Sequence, residues 1–73
     1  MTHLDVRGSR CPIPVLKARK RIKSLPSGAV LVLLCDDPVA TIDVPHFCQE
    51  DGHTLDAQND VGDGVMAFHI RKR

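Results

Sequence analysis

Ala29-Val30-Leu31-Val32-Leu33-Leu34-Cys35 is an unbroken apolar run of seven residues in a chain of 73. It is too short to be a separate buried helix and has the length of a strand, so it is read as the central strand of a sheet. Upstream, Leu4 and Val6 alternate with His3 and Asp5, which predicts a first strand over His3 to Val6 with one buried face. Between the two strands, Val15, Ala18, Ile22 and Leu25 recur at steps of three and four, and Leu16 widens the stripe. That spacing predicts a helix from Pro12 to about Ser24, closed by the Pro26-Ser27-Gly28 turn. Strand, helix and strand form a β-α-β unit, in which the strands run parallel with a right-handed crossover. Their C-terminal ends then lie on one edge of the sheet. The loop that carries Cys11 and the segment Cys35-Asp36-Asp37-Pro38 face the same side, at the edge where open α/β sheets commonly build sites. An unbroken apolar strand also implies that part of the second face of the sheet is covered by a partner.

Asp36-Asp37-Pro38 resembles a helix start, with Asp37 as N-cap and Pro38 at the first position. The apolar set Ile42, Val44, Phe47 and Cys48 predicts a second helix ending near Gly52. Pro45 interrupts it, so that Asp43-Val44-Pro45 could equally mark its start. His53 to Asn59 alternates, with Leu55 and Ala57 on one face, and Val65 to Ile70 alternates with Met66, Phe68 and Ile70. Joined by Val61-Gly62-Asp63-Gly64, these runs predict an antiparallel hairpin. Arg71 to Arg73 reads as a frayed basic end. The order is β-α-β-α-β-β: one domain over residues 1–73, an α/β (α+β) two-layer sandwich with a four-stranded mixed sheet and two helices on one face.

Composition narrows the function. The chain has no Trp or Tyr and only Phe47 and Phe68, which argues against a base-stacking nucleic-acid platform. Net charge is +1, so no whole-molecule field draws polyanions. Charge is nonetheless uneven: Lys17, Arg19, Lys20, Arg21 and Lys23 crowd one segment, and acids gather at Asp36-Asp37 and between Glu50 and Asp63. The basic run is either a solvated helix face or a docking surface beside Cys11, and Asp36 and Asp37 could steer a basic patch of a partner. The start, Met1-Thr2-His3-Leu4-Asp5, has neither a basic flank nor a long apolar run, which predicts no signal peptide, no membrane span and a cytoplasmic setting. Three cysteines there read as free thiols, and without Cys-x-x-Cys neither a thioredoxin-type motif nor common zinc spacings are present. No metal or cofactor is expected.

Chemistry is expected at Arg10-Cys11-Pro12-Ile13-Pro14. Proline suits the first turn of a helix, where backbone donors have no intrahelical partner. Pro12 is placed at the first helical position, Pro14 at the third and Cys11 at the N-cap. A thiol there would feel the positive end of the helix dipole, which favours thiolate. Arg10 would add to that effect, and the Ile13 amide is the donor left to meet the sulfur. Gly8 can supply a positive φ that exposes the loop. His46 and His53 are possible neighbours of the sulfur, whereas Cys48, beside Phe47, reads as structural.

Leu4-Asp5-x-Arg7-Gly8-x-x-Cys11-Pro12-x-Pro14 resembles the signature of the TusA, or SirA-like, family of sulfur carriers. A second block, Asp36-Asp37-Pro38, Asp43-Val44-Pro45, Phe47-Cys48 and Gly52-His53-x-Leu55, is similar to the TusA branch. The resemblance implies a fold akin to the C-terminal domain of bacterial translation initiation factor three. It implies that Cys11 accepts sulfane sulfur from a cysteine desulfurase or rhodanese, holds it as a persulfide and passes it to an acceptor sulfurtransferase of the DsrE or TusD kind. Family outlets are tRNA thiolation, molybdenum-cofactor assembly and sulfur oxidation. Such a protein is a carrier that acts through transient complexes, as a monomer, rather than a free-standing turnover enzyme. Ile13 stands where the enterobacterial tRNA-thiolation carrier has a glutamate. Two other readings remain at this stage: a non-catalytic RNA- or protein-binding module using Lys17, Lys20 and Arg21, and a redox switch pairing Cys11 with Cys35.

Overall fold

A computed structural model describes all residues from 1 to 73. The elements are β1 (Thr2–Asp5), α1 (Ile13–Ile22), β2 (Val30–Cys35), α2 (Ala40–Asp51), β3 (Thr54–Gly62) and β4 (Val65–Arg71). The sheet runs in the order β1-β2-β4-β3. β1 lies parallel to β2, and β4 is antiparallel to both β2 and β3. This is the mixed βαβαββ arrangement expected from the periodicity, with the apolar run at the centre.

Alternation along β2 explains the two layers. Leu31, Leu33 and Cys35 are fully buried and stand opposite Ile70, Phe68 and Met66 of β4. Ala18 and Ile22 of α1 and Ala40, Val44, Phe47 and Cys48 of α2 close over that same face. Val15 and Leu25 pack at its margin. Two residues expected inside lie outside: Leu16 is 50% exposed and Ile42 is 71% exposed. Leu16 is one step off the Val15–Ala18–Ile22 stripe, and Ile42 is two residues before Val44 on a helix, so neither can face the sheet.

The second face of the sheet does not require a covering partner. Val32 and Ala67 are each only 5% exposed there, because neighbouring strands shield them. His3 and His69 flank Val32 in register on either side. β3 departs from simple alternation. A bulge between Leu55 and Ala57 pairs Leu55 with Ile70 and Ala57 with His69, which sends the two residues to opposite faces. The hairpin turn is tighter than the four residues expected. Gly62 pairs with Val65, leaving Asp63 and Gly64 as the loop, both at positive φ. That is the two-residue hairpin geometry whose twist matches the strands.

The helix starts also differ from expectation. α1 begins at Ile13 with Pro12 as its N-cap, so Cys11 lies one residue before the cap and Pro14 occupies the second helical position. The Cys11–Pro12 peptide is cis. α2 runs unbroken through Pro45. Its entry is a tight turn in which Ala40, Thr41 and Ile42 donate to the carbonyls of Asp37, Pro38 and Val39. Asp37 Oδ1 also accepts from the Val39 amide at 3.0 Å, so Asp37 caps this turn and Asp43 sits inside the helix. Gly52, at φ 78°, ends α2. The C-terminal residues are tied down rather than frayed: Arg71 is part of β4 and pairs with Asp56, and Lys72 Nζ donates to the carbonyls of Lys23 and Leu25.

Candidate functional site

Because β1 and β2 are parallel, the loops that leave their C-terminal ends meet. Val6 still donates to Leu34 O, and then Gly8 turns the chain at φ 87°, a conformation that suits glycine alone. Asp36 and Asp37, which follow β2, hold this loop from below. Asp36 Oδ1 accepts from the Gly8 amide and from the Arg10 guanidinium, both at 3.0 Å. Asp37 is buried, and its Oδ2 accepts from the Cys11 amide at 2.6 Å while Oδ1 caps the α2 entry. These two carboxylates therefore have partners within the chain, and Asp37 spans the Cys11 loop and the second helix.

Cys11 itself is exposed, whereas Cys35 and Cys48 are buried; all three are free thiols. Cys35 is enclosed in the core, with its sulfur near the Asp37 amide at 3.5 Å. Burial raises its pKa, and burial raises that of Cys48 to about 11.

The surroundings of the Cys11 sulfur differ from those expected. The Ile13 amide donates to the Arg10 carbonyl at 2.8 Å and is not available to the sulfur. Arg10 is committed to Asp36. Instead, the Cys11 thiol donates to Asp43 Oδ2 at 2.7 Å. That hydrogen bond is the largest cause of a raised Cys11 pKa, followed by partial desolvation and by the negative charges of Asp43 and Asp37. The contact with Asp43 favours the protonated thiol, against the thiolate that the helix end alone would favour.

Asp43 is the residue that sequence reasoning missed. The sequence offers it as a possible helix start and as part of the Asp43-Val44-Pro45 block, not as a partner of the sulfur. The signal lay in its spacing: Asp43, His46, Phe47 and Glu50 follow the i, i+3, i+4, i+7 rule of one helical stripe. On α1 and its cap, Pro12, Val15, Leu16 and Arg19 follow the same rule. These two stripes face one another and, with Cys11, form an open groove of about 290 Å³. Arg19 closes the groove by pairing with Asp51 at 3.0 Å and lying over the Phe47 ring.

The remaining predicted residues fall around this centre. Pro12 is exposed and lines the groove with Cys11, and Pro14 is buried. Ile13, Leu16, Val39 and Ile42 are large apolar side chains left exposed, and Leu16 lines the groove with Cys11. Lys17 reaches the Ser9 hydroxyl at 3.2 Å, Lys20 is exposed, and Arg21 bends back onto Ser24. His46 lines the groove and pairs with Glu50 at 3.1 Å. His53 does not join it. It lies against Phe47 in a separate depression with Lys72 and Arg73. No group of residues is arranged to hold a metal ion.

A two-layer α+β sandwich that holds one exposed thiol on a groove rim, over a closed core, defines a small thiol-presenting protein without a deep substrate cavity. Comparison with known proteins gives the family. A family model described as Sulfurtransferase TusA matches residues 2–72, and the chain belongs to that family. Among solved structures, the crystal structure of a SirA-like protein from Desulfitobacterium hafniense superposes with a TM-score of 0.87 at 26% identity. The match covers 97% of this chain and 96% of that one. Membership supports a role in sulfur transfer. No helix is long and apolar enough to cross a membrane.

Proposed function

We propose that this protein carries sulfane sulfur as a persulfide on Cys11. The observation that carries the reading is the contrast in access among the three thiols: Cys11 is exposed on the groove rim, while Cys35 and Cys48 are enclosed. Sulfur would arrive from a cysteine desulfurase or a rhodanese. The Cys11 sulfur attacks the terminal sulfur of the donor persulfide, the donor S–S bond breaks, and the donor thiol leaves with the proton. A second thiolate, on an acceptor sulfurtransferase, removes the sulfur by the same exchange. The sulfane sulfur changes partner, and no net oxidation or reduction occurs. A carrier of this kind enters the active sites of others, so it requires protrusion rather than a pocket. The exposed Ile13, Leu16, Val39 and Ile42 suit transient apolar docking around the sulfur, with Lys17 and Lys20 at the side.

The experiment is a loading and chase assay. The protein is incubated with a cysteine desulfurase and sulfur-labelled cysteine, separated, and offered to an acceptor thiol. The reading expects label on the protein that a thiol reductant removes and that moves to the acceptor. Failure to take up label, with the fold intact by circular dichroism, would refute it.

A further inference from the structure

One feature of the site is not required by a sulfur relay. A carboxylate sits against the reactive sulfur, where a sulfur nucleophile would be better served by a cation. We propose that Asp43 sets the direction of sulfur transfer at Cys11: through its 2.7 Å contact it stabilises the empty thiol and opposes the loaded persulfide. The inference rests on the relay reading and assigns Asp43 as the residue that makes the loaded chain a strong donor.

In the empty chain, Sγ carries the proton and Asp43 Oδ2 accepts it, a charge-assisted bond. In Cys11–S–SH, Sγ is bonded to sulfur and has no hydrogen to donate. The terminal sulfur, about 2 Å further out, is more acidic than a thiol and ionises at neutral pH. A persulfide anion then stands near a carboxylate, and the interaction changes sign. Loading therefore exchanges an attraction for a repulsion, and unloading restores the attraction. The same logic governs disulfide carriers, whose oxidising strength comes from stabilising the reduced form.

No cationic side chain pairs with Asp43. From the loop after β2, Asp36 is paired with Arg10, and Asp37 adds a second negative charge close to Cys11. From α2, His46 is paired with Glu50. From α1, Arg19 is paired with Asp51 at the far end of the groove, and Lys17 is turned to Ser9. Asp43 is free to act in this way because it has no capping duty; Asp37 caps the helix entry.

The test is the exchange Cys11–SH + GSSH ⇌ Cys11–SSH + GSH, with glutathione persulfide and glutathione as the probe. The loaded fraction is read by intact-protein mass spectrometry, and Cys11 ionisation by the pH dependence of iodoacetamide alkylation. Loss of a hydrogen bond to a charged group is worth at least about tenfold in an equilibrium. Asp43→Asn is expected to shift the loading equilibrium about tenfold toward the persulfide, and to move the alkylation midpoint down toward that of an ordinary thiol. Asp43→Ser should give the same direction if the amide disturbs α2. Equal loading by wild type and both variants would overturn the assignment and leave the relay standing. Failure of all three to load, with Cys11 still alkylated, would defeat the relay and this assignment with it.

Discussion

Cys11 and Cys48 both hold their protons more tightly than a free thiol, for opposite physical reasons. Cys48 lies in α2 against the sheet, and burial pushes it up to about 11. Cys11 is exposed, and a hydrogen bond to Asp43 is the first cause of its shift. A shift made by burial is as durable as the fold. A shift made by one contact can be released when a visiting group displaces that contact. The molecule thus keeps two thiols inert by enclosure and one quiet by a reversible bond. The core face supports the site without sharing its chemistry.

The sharpest way to break this contrast is to exchange the thiols one at a time. Cys11→Ser is expected to abolish sulfur uptake while leaving thermal stability within the range of a surface change, about 0.5 kcal/mol. Thermal unfolding and the loading assay on the same sample test both halves. A clear loss of stability with uptake retained would reverse the roles assigned to rim and core. Core substitutions should behave in the opposite way. Phe68, enclosed opposite Leu33, is expected to cost about 3–5 kcal/mol on change to alanine. In a domain this small that is a large share of total stability, which is typically about 5–15 kcal/mol. Urea unfolding measures it; a cost below about 1 kcal/mol would contradict the packing described.

Much of the fold was legible because apolar periodicity and burial agree along β2, α1 and β4. The stripe Ala18–Ile22 and the run Leu31–Cys35 lie where their spacing puts them. What escaped was set by single contacts between segments distant in sequence. The bulge after Leu55 reverses the face of Ala57 with no marker in residue type. Pro45 reads as a break, yet α2 passes through it after a tight entry turn capped by Asp37. At the site, local rules placed Cys11 at a helix cap and predicted a thiolate. The partner that decides its charge state, Asp43, is 32 residues away in sequence. Its stripe with His46, Phe47 and Glu50 was readable; which helix that stripe would face was not.

Two smaller effects depend on pH. The raised Cys48 pKa stabilises the fold fully below pH 9.0, the ordinary thiol value, and this contribution is lost as pH rises toward about 11. Urea midpoints over that window should fall less steeply in Cys48→Ala than in wild type; equal slopes would indicate that Cys48 is not enclosed. At the acid end, the Arg7 side chain, by hydrogen bonding, holds Asp5 down to about 2 from 3.8. That contribution is present above the ordinary value and is lost as pH falls through about 2. The pair is exposed, so Arg7→Met should shift acid unfolding only slightly. A large shift at neutral pH would show that the pair does more than the geometry provides.

Peptide-resolved mass spectrometry of the protein loaded by a desulfurase, with persulfides trapped before digestion, decides whether Cys11 is the carrier. One added sulfur is expected on the peptide that contains Cys11, and none on those containing Cys35 or Cys48. Added sulfur on either buried cysteine, with Cys11 unmodified, would contradict that role.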